Sequence, residues 1–161
     1  DRKRGSFMRK LKKIIATVLA ATMMLAMGVT AFAAESTTLT NAKFVRETGK
    51  DLPLGMGTGV VVAEGSTIDE DGNISVQLQS YKRLFYTGSI ASAYYVDADG
   101  NVIDDTNLVS DGYLNVNSSY AEEMSTGKQG IHLQLTFEMK PSTPPGMKST
   151  MTAYFTCDDI Q

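Results

Sequence analysis

Ile131-His132-Leu133-Gln134-Leu135-Thr136-Phe137-Glu138-Met139 decides the fold, because apolar and polar residues alternate along its whole length. A period of two sends successive side chains to opposite faces of an extended chain. The stretch therefore predicts a strand with one buried and one solvated face. His132 falls on the polar face and reads as a solvated residue. The segment at the C-terminal end repeats the pattern. Met151, Ala153, Phe155 and Cys157 share one face, and Thr150, Thr152, Tyr154 and Thr156 share the other. Cys157 is the only cysteine, so no internal disulfide can form, and its company predicts a small buried apolar residue.

Outward from these two strands, further extended segments are predicted. Ile74, Val76 and Leu78 alternate with Ser75, Gln77 and Gln79. Val60 to Ala63, Ile90 to Val96, Asn101 to Ile103, and Tyr113 to Val116 are shorter runs of the same type. Asp71-Gly72-Asn73, Asp99-Gly100-Asn101 and Asp111-Gly112 supply turn residues, and Pro141 to Gly146 a stiff loop. Ser119 to Glu122 reads as a capping box, hence one helical turn. About seven short strands with no strand–helix–strand rhythm predict an all-β antiparallel sandwich. Its domain is expected over residues 59–161, behind a polar lead-in at 34–58.

The N-terminal part has a different character. Met8 to Lys13 is basic, Ile14 to Met27 is apolar, and Ala31-Phe32-Ala33 offers small residues for cleavage. Residues 8–33 are expected to be a secretory signal peptide, since the apolar run is shorter than the about 20 residues a bilayer needs. Residues 1–7 read as an upstream extension outside the native frame. Taking away residues 1–33 removes seven of the 15 Lys/Arg and one of the 18 Asp/Glu, which leaves a net charge of −9. The signal peptide predicts an extracellular protein, and so acidic a chain predicts no nucleic-acid partner and no membrane partner after cleavage.

Several chemistries lack their residues. The one histidine, His132, has no Gly-x-Ser-x-Gly elbow to serve, and zinc needs several His or Cys ligands. The acidic turns at 69–74 and 97–102 lack the flanking ligands of a calcium loop and read as hairpin turns. Ser125-x-x-Lys128 and Gly55-x-Gly-x-Gly59 stand without the partner motifs their chemistry requires. No catalytic residue, metal site or cofactor is expected. Acidic residues are plentiful, so a hydrolase built on paired carboxylates is the lowest-ranked alternative.

The aromatic content is more specific. Tyr81-Lys82-Arg83-Leu84-Phe85-Tyr86 packs three aromatics around an adjacent basic pair, and Tyr94-Tyr95 follow closely. Tyrosine combines a flat apolar face with a polar tip, which suits a binding rim. The competing reading makes the same segment a loop whose Leu84 and Phe85 plug the core.

Taken together, the Asp-Gly-Asn strand entry, Leu84 to Ile90, the Tyr94-Tyr95 strand with its acidic turn, and the Tyr154-Phe155 strand form one pattern. Over residues 59–159 the chain resembles small secreted proteins of Gram-positive gut bacteria, including relatives of the NEAT (near-iron-transporter) domains. The resemblance implies an immunoglobulin-like sandwich. In the haem-binding members a late tyrosine holds the iron, assisted by another four residues on. Tyr154 matches the first, while Asp158 stands at the second position. The expected function is a secreted, non-catalytic binding module. Its ligand would be a protein, a glycan or an apolar small molecule, met by Tyr81, Lys82, Phe85, Tyr86, Tyr94 and Tyr95. Haem capture through Tyr154 is the alternative.

Overall fold

Turn chemistry explains how the chain doubles back. A computed structural model of the protein describes residues 35–145 and 147–161. The signal peptide expected at 8–33 and the extension at 1–7 lie outside the described residues. The first acidic turn joins β3 (Val61–Asp69) to β4 (Asn73–Leu78). The Asp69 carboxylate accepts the amides of Asp71 and Asn73, each at 2.9 Å, and Gly72 takes φ 80°. Asp97 does the same for Asp99 and Asn101, with Gly100 at φ 82°. A side chain that mimics the turn's own hydrogen bonds, followed by a residue free to take positive φ, stabilises each reversal. The Asp69 and Asp97 carboxylates are thus engaged in building their turns.

Nine further strands accompany β3 and β4: β1 (Ser36–Thr38), β2 (Lys43–Val45), β5 (Tyr81–Arg83), β6 (Tyr86–Tyr95), β7 (Val109–Ser110), β8 (Tyr113–Asn117), β9 (Ala121–Glu123), β10 (Gln129–Lys140) and β11 (Thr150–Thr156). They form two antiparallel sheets. The first has the order β1-β3-β4-β8-β7, and the second β2-β11-β10-β6-β5 with β9 added to β10. The long β10 organises the second sheet. One edge pairs with β11, and the other pairs first with β9 and then with β6. Ile68, Ile74, Val76, Leu114 and Val116 of the first sheet share one core with Phe44, Ala93, Ile131, Leu133, Leu135 and Phe155 of the second. The protein is therefore all-β and two-sheeted, as the alternating segments predict.

Several expectations need correction. There are eleven strands among the described residues rather than about seven. The segment 34–58 is not a mere lead-in. It supplies β1, β2, a 3₁₀ turn (Pro53–Gly55) and the short α1 (Met56–Gly59), and it buries Leu39, Phe44, Leu52 and Met56. The capping box does not form. Asn117 caps a three-residue 3₁₀ turn, Ser118–Tyr120, and Glu122 belongs to β9. Asn101 to Ile103 contributes only a bridge from Val102 to Val96. Cys157 is buried, on the face expected.

Candidate functional site

The outer face of the second sheet carries the largest correction. His132 is not solvated: its side chain is only 4% exposed. Register places it beside Tyr154 on β11, and the two rings stack with centroids 4.6 Å apart and planes at 14°. The turn after β2 brings Glu47 over the face, where the His132 Nε2–H donates to Glu47 Oε1 at 2.7 Å. From β9, Glu122 Oε1 accepts the Tyr154 hydroxyl at 2.9 Å and lies 3.7 Å from His132 Nδ1. That nitrogen is buried without a hydrogen-bond partner. The cluster ties four separate elements together through one imidazole.

Electrostatics in the cluster follow from these contacts. The Thr152 hydroxyl and then the His132 N–H hold the Glu47 carboxyl below its usual range, against a smaller opposing effect of burial. Burial, then the hydrogen bond to Glu122, then the charges of Glu122 and Glu47 push the Tyr154 phenol up to about 12. A phenol held neutral in this way is poorly prepared to act as an anionic iron ligand, the role that the family resemblance implies for it. Titration followed by phenolate absorbance should show Tyr154 ionising near 12, and Glu122→Gln should bring it down towards 10. Because the folded value is raised, this group's contribution to stability is full below pH 10 and fades as pH climbs through 12. A Tyr154 that ionises near 10 in the intact fold would contradict the geometry.

The aromatic residues expected to form one rim are divided. Tyr81 is half-buried, and its ring lies against α1: a Cβ on Gly59 would fall 2.4 Å from it. Tyr86 is half-buried and packs on the core. Tyr94 and Tyr95 sit at the other end of β6 and on opposite faces. Tyr95 is buried, its hydroxyl accepts the Asn117 amide at 2.9 Å, and its ring stacks on Tyr120 at 3.7 Å. Tyr94 lies beside Gln134 on the outer face.

What remains at the β5–β6 turn is Leu84, 71% exposed, and Phe85, 88% exposed. Lys82 and Arg83 precede them, both exposed and without an ion pair among the described residues. The core-plug reading of Leu84 and Phe85 is therefore wrong, and the binding-rim reading survives only at this tip.

Two features escaped sequence reasoning. One is the His132 cluster. The other is a groove of about 600 Å³ in which Leu54, Pro144, Pro145 and Met151 meet Arg46 and Lys148. It runs beside the part of β11 that β2 leaves uncovered, since β2 pairs only with Tyr154 to Thr156.

Among the described residues, no group of three or more His, Cys, Asp or Glu is placed to hold a metal ion. No helix there is long and apolar enough to cross a membrane. No family model, no curated protein and no solved structure matches the chain.

Proposed function

We propose that the protein is a secreted, non-catalytic binding module with an immunoglobulin-like build, and that it engages an extracellular protein partner through the Leu84-Phe85 tip. The observation that carries this reading is the conformation of the tip. Leu84 takes φ 55°, a left-handed conformation that suits Gly or Asn far better than a branched apolar residue. Its side chain is also turned out to water. Neither packing nor backbone preference recommends leucine there, and strain of this kind concentrates at functional sites. Next to it, Phe85 offers an aromatic side chain of the class enriched in interface cores, with two cations alongside for orientation. A convex apolar tip fits a concave apolar pocket with an acidic rim.

The reading makes stability and binding move in opposite directions. Leu84→Asn keeps the turn and relieves the strain, so it should raise folding stability by roughly 0.5–1 kcal/mol. The same change, and Phe85→Ala, should each weaken capture of the partner from extracellular surface proteins by at least about tenfold. Capture would be compared with Tyr113→Ala, which alters a different sheet. Equal capture by wild type and both tip variants would discard the proposal.

A further inference from the structure

The described residues expose five large apolar side chains, and these fall into two groups at opposite ends of β6. Leu84 and Phe85 precede the strand. Val102, Ile103 and Tyr120, between 43% and 54% exposed, gather beyond its far end. The second group is held together around Tyr95. Ile103 donates its amide to the Tyr95 carbonyl at 3.0 Å, Val102 bridges to Val96, and the Tyr120 ring stacks on the Tyr95 ring. A ten-residue strand separates the two groups, about 30 Å at the usual rise.

Charge divides in the same way. The tip carries Lys82 and Arg83, the only adjacent basic pair among residues 34–161. The far patch is followed directly by Asp104 and Asp105, both exposed. The Thr106 amide, at 2.9 Å, keeps the Asp104 carboxylate ionised and in place. The chain thus presents a cationic apolar tip at one end and an anionic apolar patch at the other. Each has the surface that the other lacks.

We infer that the tip of one copy docks on the Val102-Ile103-Tyr120 patch of a second copy, so that the protein associates head to tail. The inference rests on the tip being a binding surface, as proposed above, and names a second copy of this chain as its partner. An anionic membrane would also attract the tip, but it leaves the far patch unexplained. A second copy accounts for both. Contact between different patches does not close on itself unless the rotation happens to form a ring, so the association is open-ended. Two small patches make an interface of the transient class, below about 1,200 Å². The ion pairs at its edge add selectivity and salt sensitivity rather than strength.

Sedimentation velocity of the exported protein over roughly 10 μM to 1 mM would show the average mass rising with concentration, as a transient interface requires. The rise should shrink when salt goes from about 50 to about 500 mM, because the Debye length falls well below the spacing of exposed charges. Two variants then test the direction of the contact. Lys82→Glu with Phe85→Asp removes the tip and leaves the patch. Ile103→Lys with Asp104→Lys removes the patch and leaves the tip. Each should be monomeric alone and remain folded, with a cooperative melting transition. Their mixture should form a one-to-one pair and nothing larger, because each copy has one working end.

A wild type that stays monomeric throughout, or a mixture that does, overturns the inference. Association of the patch variant by itself overturns it in favour of a tip-to-tip dimer. Binding of the tip to phosphatidylglycerol vesicles, with the mixture still monomeric, overturns it in favour of a lipid partner. If the mixture is monomeric but Phe85→Ala still loses an outside protein partner, the head-to-tail contact fails and the proposed binding role stands.

Discussion

Phe155→Ala is expected to lower folding stability by about 3–5 kcal/mol. Phe155 is fully buried on β11, where register sets it against Ile131 on one side and Phe44 on the other. Its ring meets the Phe44 ring at 5.4 Å and a 59° tilt. Truncation removes the ring's transfer free energy and leaves a cavity between two strands that backbone pairing holds apart. With a single cysteine in the chain, no internal disulfide shores up this core. Domains of this size have about 5–15 kcal/mol in total, so the loss is a large fraction of it. A melting temperature lower by about 10–20 °C would report it. Phe85→Ala is the matched control, since an exposed phenylalanine should change stability by no more than about 0.5 kcal/mol. A drop of less than about 1 kcal/mol for Phe155→Ala would mean that β2 collapses onto the vacated space.

The contrast between these two phenylalanines shows what the sequence reveals and what it hides. Phe155 is legible because it sits in a strict alternation with Met151, Ala153 and Cys157. Such a rhythm assigns a face without knowledge of the partner strands. Phe85 belongs to no rhythm, and its exposure depends on the β5–β6 turn, which the residue types do not announce. β1 and β2 escaped detection for a related reason. Three residues are too few to display a period, and these strands exist because β3 and β11 offer them edges. Gly55-x-Gly-x-Gly59, which lacks the partner motifs of a nucleotide loop, has a packing role instead. It is small because Tyr81 lies on Gly55 and Gly59, while a Cβ on Gly57 would fall 2.2 Å from the Phe44 carbonyl oxygen.

His132 marks the sharper limit. Alternation assigned it correctly to the outer face, but a face is not an exposure. Glu47 reaches it from 85 residues away in the chain, and Glu122 belongs to a segment whose local signal suggested a helix cap. Long-range cover of this kind has no periodic signature. One clue was available: a lone histidine and a tyrosine on the polar faces of the last two strands could be cross-strand neighbours. The length of the intervening loop leaves that register open.

His132→Ala is expected to cost about 2–4 kcal/mol, through two effects that a second variant separates. The first is packing, since the imidazole stacks on Tyr154 and is covered from both sides. The second is electrostatic. Without the ring, Glu47 loses the 2.7 Å hydrogen bond from His132 Nε2 and keeps the Thr152 hydroxyl as its donor. His132→Phe keeps the stack and loses the hydrogen bond. It should therefore retain most of the packing and cost less than the alanine change. The acid limb supplies the independent readout. The folded pKa of Glu47 lies below its ordinary 4.5, held there by the Thr152 hydroxyl first and His132 second. Its contribution to stability is thus full above about pH 4.5 and disappears as pH falls through the lowered value. Thr152→Val removes the larger influence while leaving His132 in place. The loss of stability between about pH 5 and pH 3 should then become shallower than in wild type, and His132→Phe should make it shallower by a smaller amount. Chemical denaturation at a series of pH values measures this directly. Acid limbs that superimpose for all three proteins would show that Glu47 is not held by this cluster, and that the imidazole owes its burial to Tyr154 alone.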